Sequence, residues 1–304
     1  MIVTACDSGK SGRASLIRFA PMGVVRPGCQ EVAGIREDAP AGLDTTIPNV
    51  ARMYDYLLGG KDNFAADRAA AEQLLAVIPD VAAIAADNRA FLGRVVRYLT
   101  SQGVRQFLDL GSGLPTRSNV HEVARANAPG TRVVYADYDP VVALHGKALL
   151  APGRDVAVLH ADLAEPSSIL EHPDLLRVLD LSRPVGVICA SSLHFVPDEA
   201  DPWGVIAQYR DRLCPGSYLA ITHAPARVPG EDPEHDEENA AEVFRQTSAS
   251  LHMRTLAEIK RFFDGFELVA PGVVFMQDWR PDPGTHAAGR LRSFRAGVGR
   301  KPSA

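Results

Sequence analysis

From Val104 onward, short and almost wholly apolar runs alternate with stretches of helical periodicity, and this rhythm limits the available folds more than any other feature. The runs cover residues 106–110, 132–136, 156–160, 185–190 and 217–222. They begin roughly 25–30 residues apart, room for one helix between neighbours, which is the pattern of repeated βαβ units. Apolar residues at nearly every position suit strands buried on both faces, so the expected fold is a mostly parallel, Rossmann-like α/β sheet with helices on both sides. Near the carboxyl end, 265–270 and 273–278 flank Pro271-Gly272, which predicts an antiparallel hairpin closing the sheet. Between that hairpin and the fifth run lies an insert, 224–263, with an acidic loop at 231–238 and helix-like stretches around 240–250 and 255–263.

Residues 48–99 carry a helical pattern of alanine, leucine and valine at spacings of three and four, punctuated by Pro79 and Asp80 and, within 52–64, by Gly59-Gly60. Residues 1–45 show no sustained period and are read as a flexible leader or an upstream extension. The expected organisation is a single domain over 46–304, with amino-terminal helices at 46–100 and the core at 101–304. The "SGKS" at Ser8 to Ser11 resembles the end of a phosphate-binding loop, but Thr4 stands where that motif needs its first glycine and no strand precedes it.

Charge and composition narrow the partners. Lys and Arg number 32 against 37 Asp and Glu, a net charge of −5, which gives little electrostatic attraction for nucleic acid or an anionic membrane. No apolar run approaches the ~18 residues of a membrane span. The four cysteines form no CxxC pair and are too few for a disulfide framework, so a reduced, cytoplasmic protein is expected. Nine scattered histidines and no HExxH give no reason to expect a metal.

The central motif is F-L-D-L-G-S-G-L-P-T, residues 107–116. A strand ends at Asp109, Gly111 and Gly113 turn the chain, and Pro115 can open a helix. In open α/β sheets ligands bind beyond the carboxyl ends of the strands, at the switch point that such a first loop marks. A dinucleotide loop needs a third glycine, and Thr116 occupies that position. A carboxylate at Asp109 suits a cationic ligand, which favours S-adenosylmethionine over a pyrophosphate. Asp137 follows the second run and can accept both hydroxyls of a ribose, while Asp139 can cap the helix that Pro140 begins. Asp162 follows the third run, where a side chain can meet an adenine amino group or simply cap a helix. After the fourth run, Ser191, Ser192 and His194 are the polar groups expected to face a ligand. His194 can act as a general base or as a hydrogen-bonded wall residue, and His223, ending the fifth run, has the same two readings. Three acids after three consecutive strands are more specific than any one alone.

Two further segments are distinctive beside the glycine loop: "PNVARMYDYLLGGKDNFAADR" at 48–68 and "SSLHFVPDEADP" at 191–202. With "PGSYLAITHA" at 215–224 and "EIKRFFDGFELVAPGVV" at 258–274, they make the chain similar to the actinobacterial S-adenosyl-L-methionine-dependent methyltransferases long grouped as a domain of unknown function. The resemblance spans about 46–302. It implies a class I methyltransferase fold: a seven-stranded, mostly parallel sheet with an antiparallel last strand and extra amino-terminal helices. Its cofactor is S-adenosyl-L-methionine. The resemblance further implies that Gly111 and Gly113 lie against the methionine part, that Asp137 holds the ribose, and that Asp162 with Leu163 holds the adenine. Segment 52–64 would close over the site, with Tyr54 or Tyr56 against the sulfonium and Lys61, Asn63 or Arg52 near cofactor or acceptor. Many relatives are more apolar at Ser191-Ser192, which argues against catalysis by those serines.

The acceptor is expected to be a small molecule, selected by the amino-terminal helices and the insert. In-line methyl transfer needs a base only if the acceptor carries a proton. The absence of an unmistakable base motivates an alternative, a protein that binds S-adenosylmethionine or S-adenosylhomocysteine without turnover. The missing third glycine disfavours a nicotinamide oxidoreductase.

Overall fold

The structure, a computed structural model, describes residues 44–115, 118–149, 155–226, 237–284 and 292–303. Residues 1–43 of the expected leader and 231–236 of the acidic loop lie outside the described residues. Three helices come first: α1 (Val50–Leu57), α2 (Ala65–Val77) and α3 (Val81–Ser101). The alternating part follows as β1 (Gln106–Leu110), α4 (Val120–Asn127), β2 (Arg132–Asp137), α5 (Pro140–Leu149), β3 (Val156–His160), α6 (Pro166–Leu170), α7 (Pro173–Val178), β4 (Gly186–Ala190), α8 (Pro202–Arg212) and β5 (Tyr218–His223). The chain ends with α9 (Glu237–Arg245), α10 (Leu256–Arg261), β6 (Glu267–Leu268), β7 (Val274–Phe275) and β8 (Arg295–Arg300).

The five apolar runs are the five parallel strands. Their order in the sheet is β3-β2-β1-β4-β5, followed by β8 antiparallel to β5. The chain works outward from β1 to β3, then returns to β4 on the other side of β1. The switch point therefore lies between the carboxyl ends of β1 and β4. Asp109 sits there, in register with Tyr135 of β2 and Ile188 of β4. Burial on both faces explains the apolar composition. Leu108, Val134, Val187 and Leu219 pack towards Leu175, Tyr209 and Phe262, while Phe107, Val133, Ile188 and Ala220 pack towards Phe91, Val95, Leu99 and Trp279.

The expected closing hairpin does not form. β6 and β7 do not pair with each other; both pair antiparallel with β8, a strand the sequence reading missed. The sheet has eight strands rather than seven, with β6 and β7 sharing one outer position. The glycines of R-A-G-V-G-R disguised the strand, since glycine ordinarily weakens one. Here they are required by packing: a Cβ on Gly297 would stand 2.9 Å from the Phe263 ring, and one on Gly299 would stand 2.8 Å from Phe266 Cβ. Pro115 also does not open a helix. The helix after the glycine loop starts at Val120, where the Asn119 N–H donates to Glu122 at 2.9 Å.

Candidate active site

A cavity of about 440 Å³ opens beyond the carboxyl ends of β1, β2 and β4, within the size range of small-molecule sites. Its floor is polar. Asp109, the glycine loop, Asp137, Asp162, Leu163 and Ser191 all line it. Its roof is apolar: α1 contributes Met53 and Leu57, α3 contributes Ile84 and Leu92, and the insert contributes Phe244.

The floor is organised by Asp137. Its Oδ2 accepts the Gly113 N–H at 2.8 Å and its Oδ1 accepts the Asp139 N–H at 3.0 Å. The Gly111 N–H donates to the Ala136 carbonyl at 2.8 Å. Gly111 and Gly113 have φ of 71° and 64°, the left-handed region that glycine occupies freely. At Gly111 a side chain is excluded on space as well, because its Cβ would lie 2.4 Å from Ser192 Cβ. Asp139 caps α5 by accepting the Val141 N–H at 2.7 Å, as its place before Pro140 suggested.

Burial shapes the charge of this floor. Removal from water pushes the Asp109 carboxyl up to about 7; Arg89 pulls against that rise and Asp137 adds to it. Burial pushes Asp137 up to about 6, opposed by its two backbone hydrogen bonds. Asp162 is exposed at the rim, where its Oδ1 accepts the Ala164 N–H at 2.8 Å. It does not cap α6, which Glu165 precedes. Two buried carboxyls and one exposed carboxylate around one cavity match a ligand that brings positive charge and hydroxyl donors.

The side opposite Asp162 is held by a chain of hydrogen bonds. The Ser191 N–H donates to Thr222 Oγ1 at 2.8 Å, and that hydroxyl donates to Asn88 Oδ1 at 2.7 Å. Asn88 Nδ2 donates to the Tyr54 oxygen at 3.0 Å, and the Tyr54 hydroxyl donates to the Ala85 carbonyl at 2.9 Å. Ser191 itself has φ of 60°. The roof is fastened at Ser248. Its N–H donates to the Pro48 carbonyl at 2.8 Å, while its Oγ accepts from Asn49 Nδ2 at 3.1 Å and pairs with the Tyr138 hydroxyl at 2.9 Å. Arg52, buried beneath α1, binds Asp67 at 2.8 Å and Asp139 at 3.4 Å. It thereby ties the roof to the turn that carries Asp137.

His194 is buried in the cavity wall, with only 3% of its surface exposed. Its Nδ1 accepts the Ala224 N–H at 3.2 Å, so the ring proton resides on Nε2. Burial lowers its pKa well below the usual histidine range, and its titratable neighbours His223, Arg254 and His252 lower it further. His223 is not in the cavity. Its Nδ1–H donates to the Ala224 carbonyl at 2.8 Å and its Nε2 accepts from Arg254 at 2.9 Å. Burial pushes its pKa down to about 3. With both nitrogens engaged, it has no lone pair for a base and belongs to the buried Arg254 cluster.

A family profile described as S-adenosyl methyltransferase matches residues 36–302. The chain belongs to this family. A protein of Thermobifida fusca, provisionally described as a methyltransferase, is 44% identical with a TM-score of 0.80, covering 87% of this chain and 98% of its own. A DUF574 family protein of Streptomyces avermitilis is 38% identical with a TM-score of 0.80, covering 85% of this chain and 99% of its own. No curated protein matches the chain significantly. The fold is that of a class I methyltransferase, and the family's cofactor is S-adenosyl-L-methionine. The donor set fits that molecule: the buried carboxyls of Asp109 and Asp137 could meet its cationic groups and hydroxyls, Gly113 has open space where a side chain would stand, and Leu163 offers an apolar surface.

Of the family-like site residues anticipated from sequence, Tyr54, Asp109, Gly111, Gly113, Asp137, Asp162, Leu163, Ser191 and His194 meet at this cavity. Tyr56, Asn63 and His223 do not. At about 100° per residue, positions two apart on a helix face opposite sides. Tyr56 therefore turns away from Tyr54 and bonds Glu72. The Asn63 amide is committed to Asp55 at 2.8 Å and to the Gly60 carbonyl at 3.2 Å, where it holds the turn after α1. Asn88, Arg89, Phe195, Phe244, Ser248 and Phe294 also line the cavity and were not anticipated from the sequence. Asn88 left a signal: it interrupts the apolar stripe of α3 formed by Ile84, Leu92 and Val95. Among the described residues, no group of His, Cys, Asp and Glu is placed to hold a metal ion, and no single helix is long and apolar enough to cross a membrane.

Proposed function

We propose that this chain is a catalytically active methyltransferase that binds S-adenosyl-L-methionine over the glycine loop and methylates a small molecule held under the apolar roof. The observation that carries this reading is the convergence of Asp109, Asp137 and Asp162 on one cavity whose other half is apolar. When bound, S-adenosyl-L-methionine supplies a methyl group on a positively charged sulfur with a good leaving group. The protein's work is to orient the reactants and to exclude water, and orientation alone can contribute ~7–11 kcal/mol. In this reading Asp137 accepts the ribose hydroxyls, Asp109 faces the ammonium, and Asp162 with Leu163 borders the adenine. The Tyr54 ring lies on the roof, where it can face the sulfonium. The roof, fastened through Ser248, keeps water out. With a net charge of −5, nucleic acid is not the proposed acceptor. A cytoplasmic setting is part of the proposal, consistent with Cys189 and Cys214 as free thiols.

The second reading, binding without turnover, draws on the engaged Nδ1 of His194. It predicts cofactor binding without methylation of any acceptor. The deciding experiment is calorimetric titration with S-adenosylmethionine, S-adenosylhomocysteine and NAD, followed by an acceptor screen. The expected result is micromolar affinity for the first two and none for NAD. Asp137→Ala should weaken binding by at least about a hundredfold, since two charged hydrogen bonds amount to about 3 kcal/mol or more. No affinity for either adenosyl compound would refute the proposal.

A further inference from the structure

His194 presents an unusual combination. The side chain packs between Phe195 and Phe294, with ring centroids 4.5 and 5.4 Å away, and against the His223 ring behind it at 5.4 Å. Its Nδ1 is committed to the Ala224 N–H, and its Nε2 has no partner among the described residues. A polar N–H in a residue this buried costs free energy unless something accepts from it. The backbone on both sides is pinned. The His194 carbonyl accepts the His252 N–H at 2.7 Å, and Arg254 binds the carbonyls of Leu193 at 3.1 Å and Val196 at 2.7 Å. The ring therefore cannot readily turn to present Nδ1 to the cavity without abandoning the Ala224 amide.

We infer that His194 is a specificity residue that donates a hydrogen bond from Nε2 to a lone pair of the methyl acceptor other than the one that attacks, and that the acceptor is a flat, mostly apolar molecule whose reacting atom enters the site with its own lone pair unprotonated. Phe195, Phe244 and Phe294 supply the flat contact surfaces. This inference rests on the methyltransferase reading for its chemistry. The acceptor lone pair forms the new bond to the methyl carbon as the carbon–sulfur bond breaks, and that bond's electron pair remains on sulfur. The reacting atom carries no proton, so none has to be removed and the missing base is accounted for. Aromatic nitrogens and heteroatoms already ionised in solution share this chemistry.

The test uses three bicyclic probes of one size: quinoline with a lone pair, naphthalene without one, and 1,2,3,4-tetrahydroisoquinoline, cationic at neutral pH. Each is titrated into the full chain, with and without S-adenosylhomocysteine. Quinoline should bind about fivefold more tightly than naphthalene, the worth of one ordinary hydrogen bond. His194→Asn keeps an acceptor for the Ala224 N–H and removes the donor, so the quinoline advantage should vanish while naphthalene affinity stays. His194→Gln reaches further and restores a donor near Nε2, so part of the advantage should return. Nitrogen-resolved NMR should show the Nε2–H form of His194 from pH 6 to 8. The inference is overturned by equal binding of quinoline and naphthalene, by strongest binding of the cation, by an advantage that survives His194→Asn, by no probe binding at all, or by the Nδ1–H form. Failure of S-adenosylhomocysteine to bind would instead strike the methyltransferase reading, and the ranking of the probes alone would still report on His194.

Discussion

Replacing Asp109 by Asn should stabilise the protein and weaken its hold on the cofactor. Asp109 is 4% exposed at the end of β1, and burial pushes its carboxyl up from 3.8 to about 7. A carboxyl whose folded pKa lies above its unfolded value binds its proton more tightly in the native state. Ionisation therefore opposes folding, with no penalty below pH 4, a growing one between 4 and 7, and the full penalty above 7. Three pH units at 1.36 kcal/mol each make the full penalty about 4 kcal/mol. Asn resembles the protonated acid in shape and cannot ionise. In urea titrations Asp109→Asn should thus gain about 4 kcal/mol at pH 8 and only about 1 kcal/mol at pH 4.5. Asp137 adds to the rise at Asp109, so the pH dependence of the difference reports the interacting pair and not Asp109 alone. Calorimetry at pH 8 should show weaker binding of S-adenosylmethionine to the variant. A stability difference that does not change with pH, or a loss of stability at pH 8, would refute the account of a carboxylate held ionised against its burial.

Three other substitutions test how the site is supported. Arg52→Met leaves Asp67 and Asp139 buried without their counter-charge and should cost about 3–5 kcal/mol in urea; a loss under about 1 kcal/mol would contradict the buried-pair description. Gly297→Ala brings a methyl to 2.9 Å from Phe263 and should cost about 1–3 kcal/mol, so an unmoved denaturation midpoint would argue against the packing of β8. Tyr54→Phe should lower stability by about 1–3 kcal/mol because the Ala85 carbonyl and the Asn88 amide each lose a buried partner, whereas Tyr56→Phe, losing only an exposed bond, should stay within about 0.5 kcal/mol. Equal thermal shifts for the two tyrosine variants would show that the hydroxyl chain carries no weight.

The parallel sheet was legible because doubly buried strands must be apolar at nearly every position and the helices between them must be long enough to cross over. β8 was not legible, because its glycines answer to Phe263 and Phe266, which come from a segment some thirty residues earlier in the chain. The floor of the site was legible for a related reason. Asp109, Asp137 and Asp162 each follow a strand, and in a parallel sheet all strand ends of one kind lie on one side. The roof comes from α1, α3 and the insert, whose approach depends on tertiary packing that no local spacing records. Tyr54 and Tyr56 show the limit within a single helix: both stood in a plausible segment, and only the direction in which α1 docks decided between them. For His223, strand position alone suggested the site, but its two nitrogens had been claimed by Ala224 and Arg254.

The hydrogen-bonded series from Ser191 to Ala85 has a built-in polarity. It starts at a backbone N–H, which can only give, and stops at a backbone carbonyl, which can only receive. Every proton between those ends is consequently assigned: the Thr222 hydroxyl points at Asn88, the Asn88 amide has one orientation, and the phenol of Tyr54 points at α3. No member can reverse unless all do, and the two ends forbid it. The oxygen of Tyr54 can thus turn only an electron pair, never its hydrogen, towards the cavity, so any group that bonds to it there must bring the proton itself.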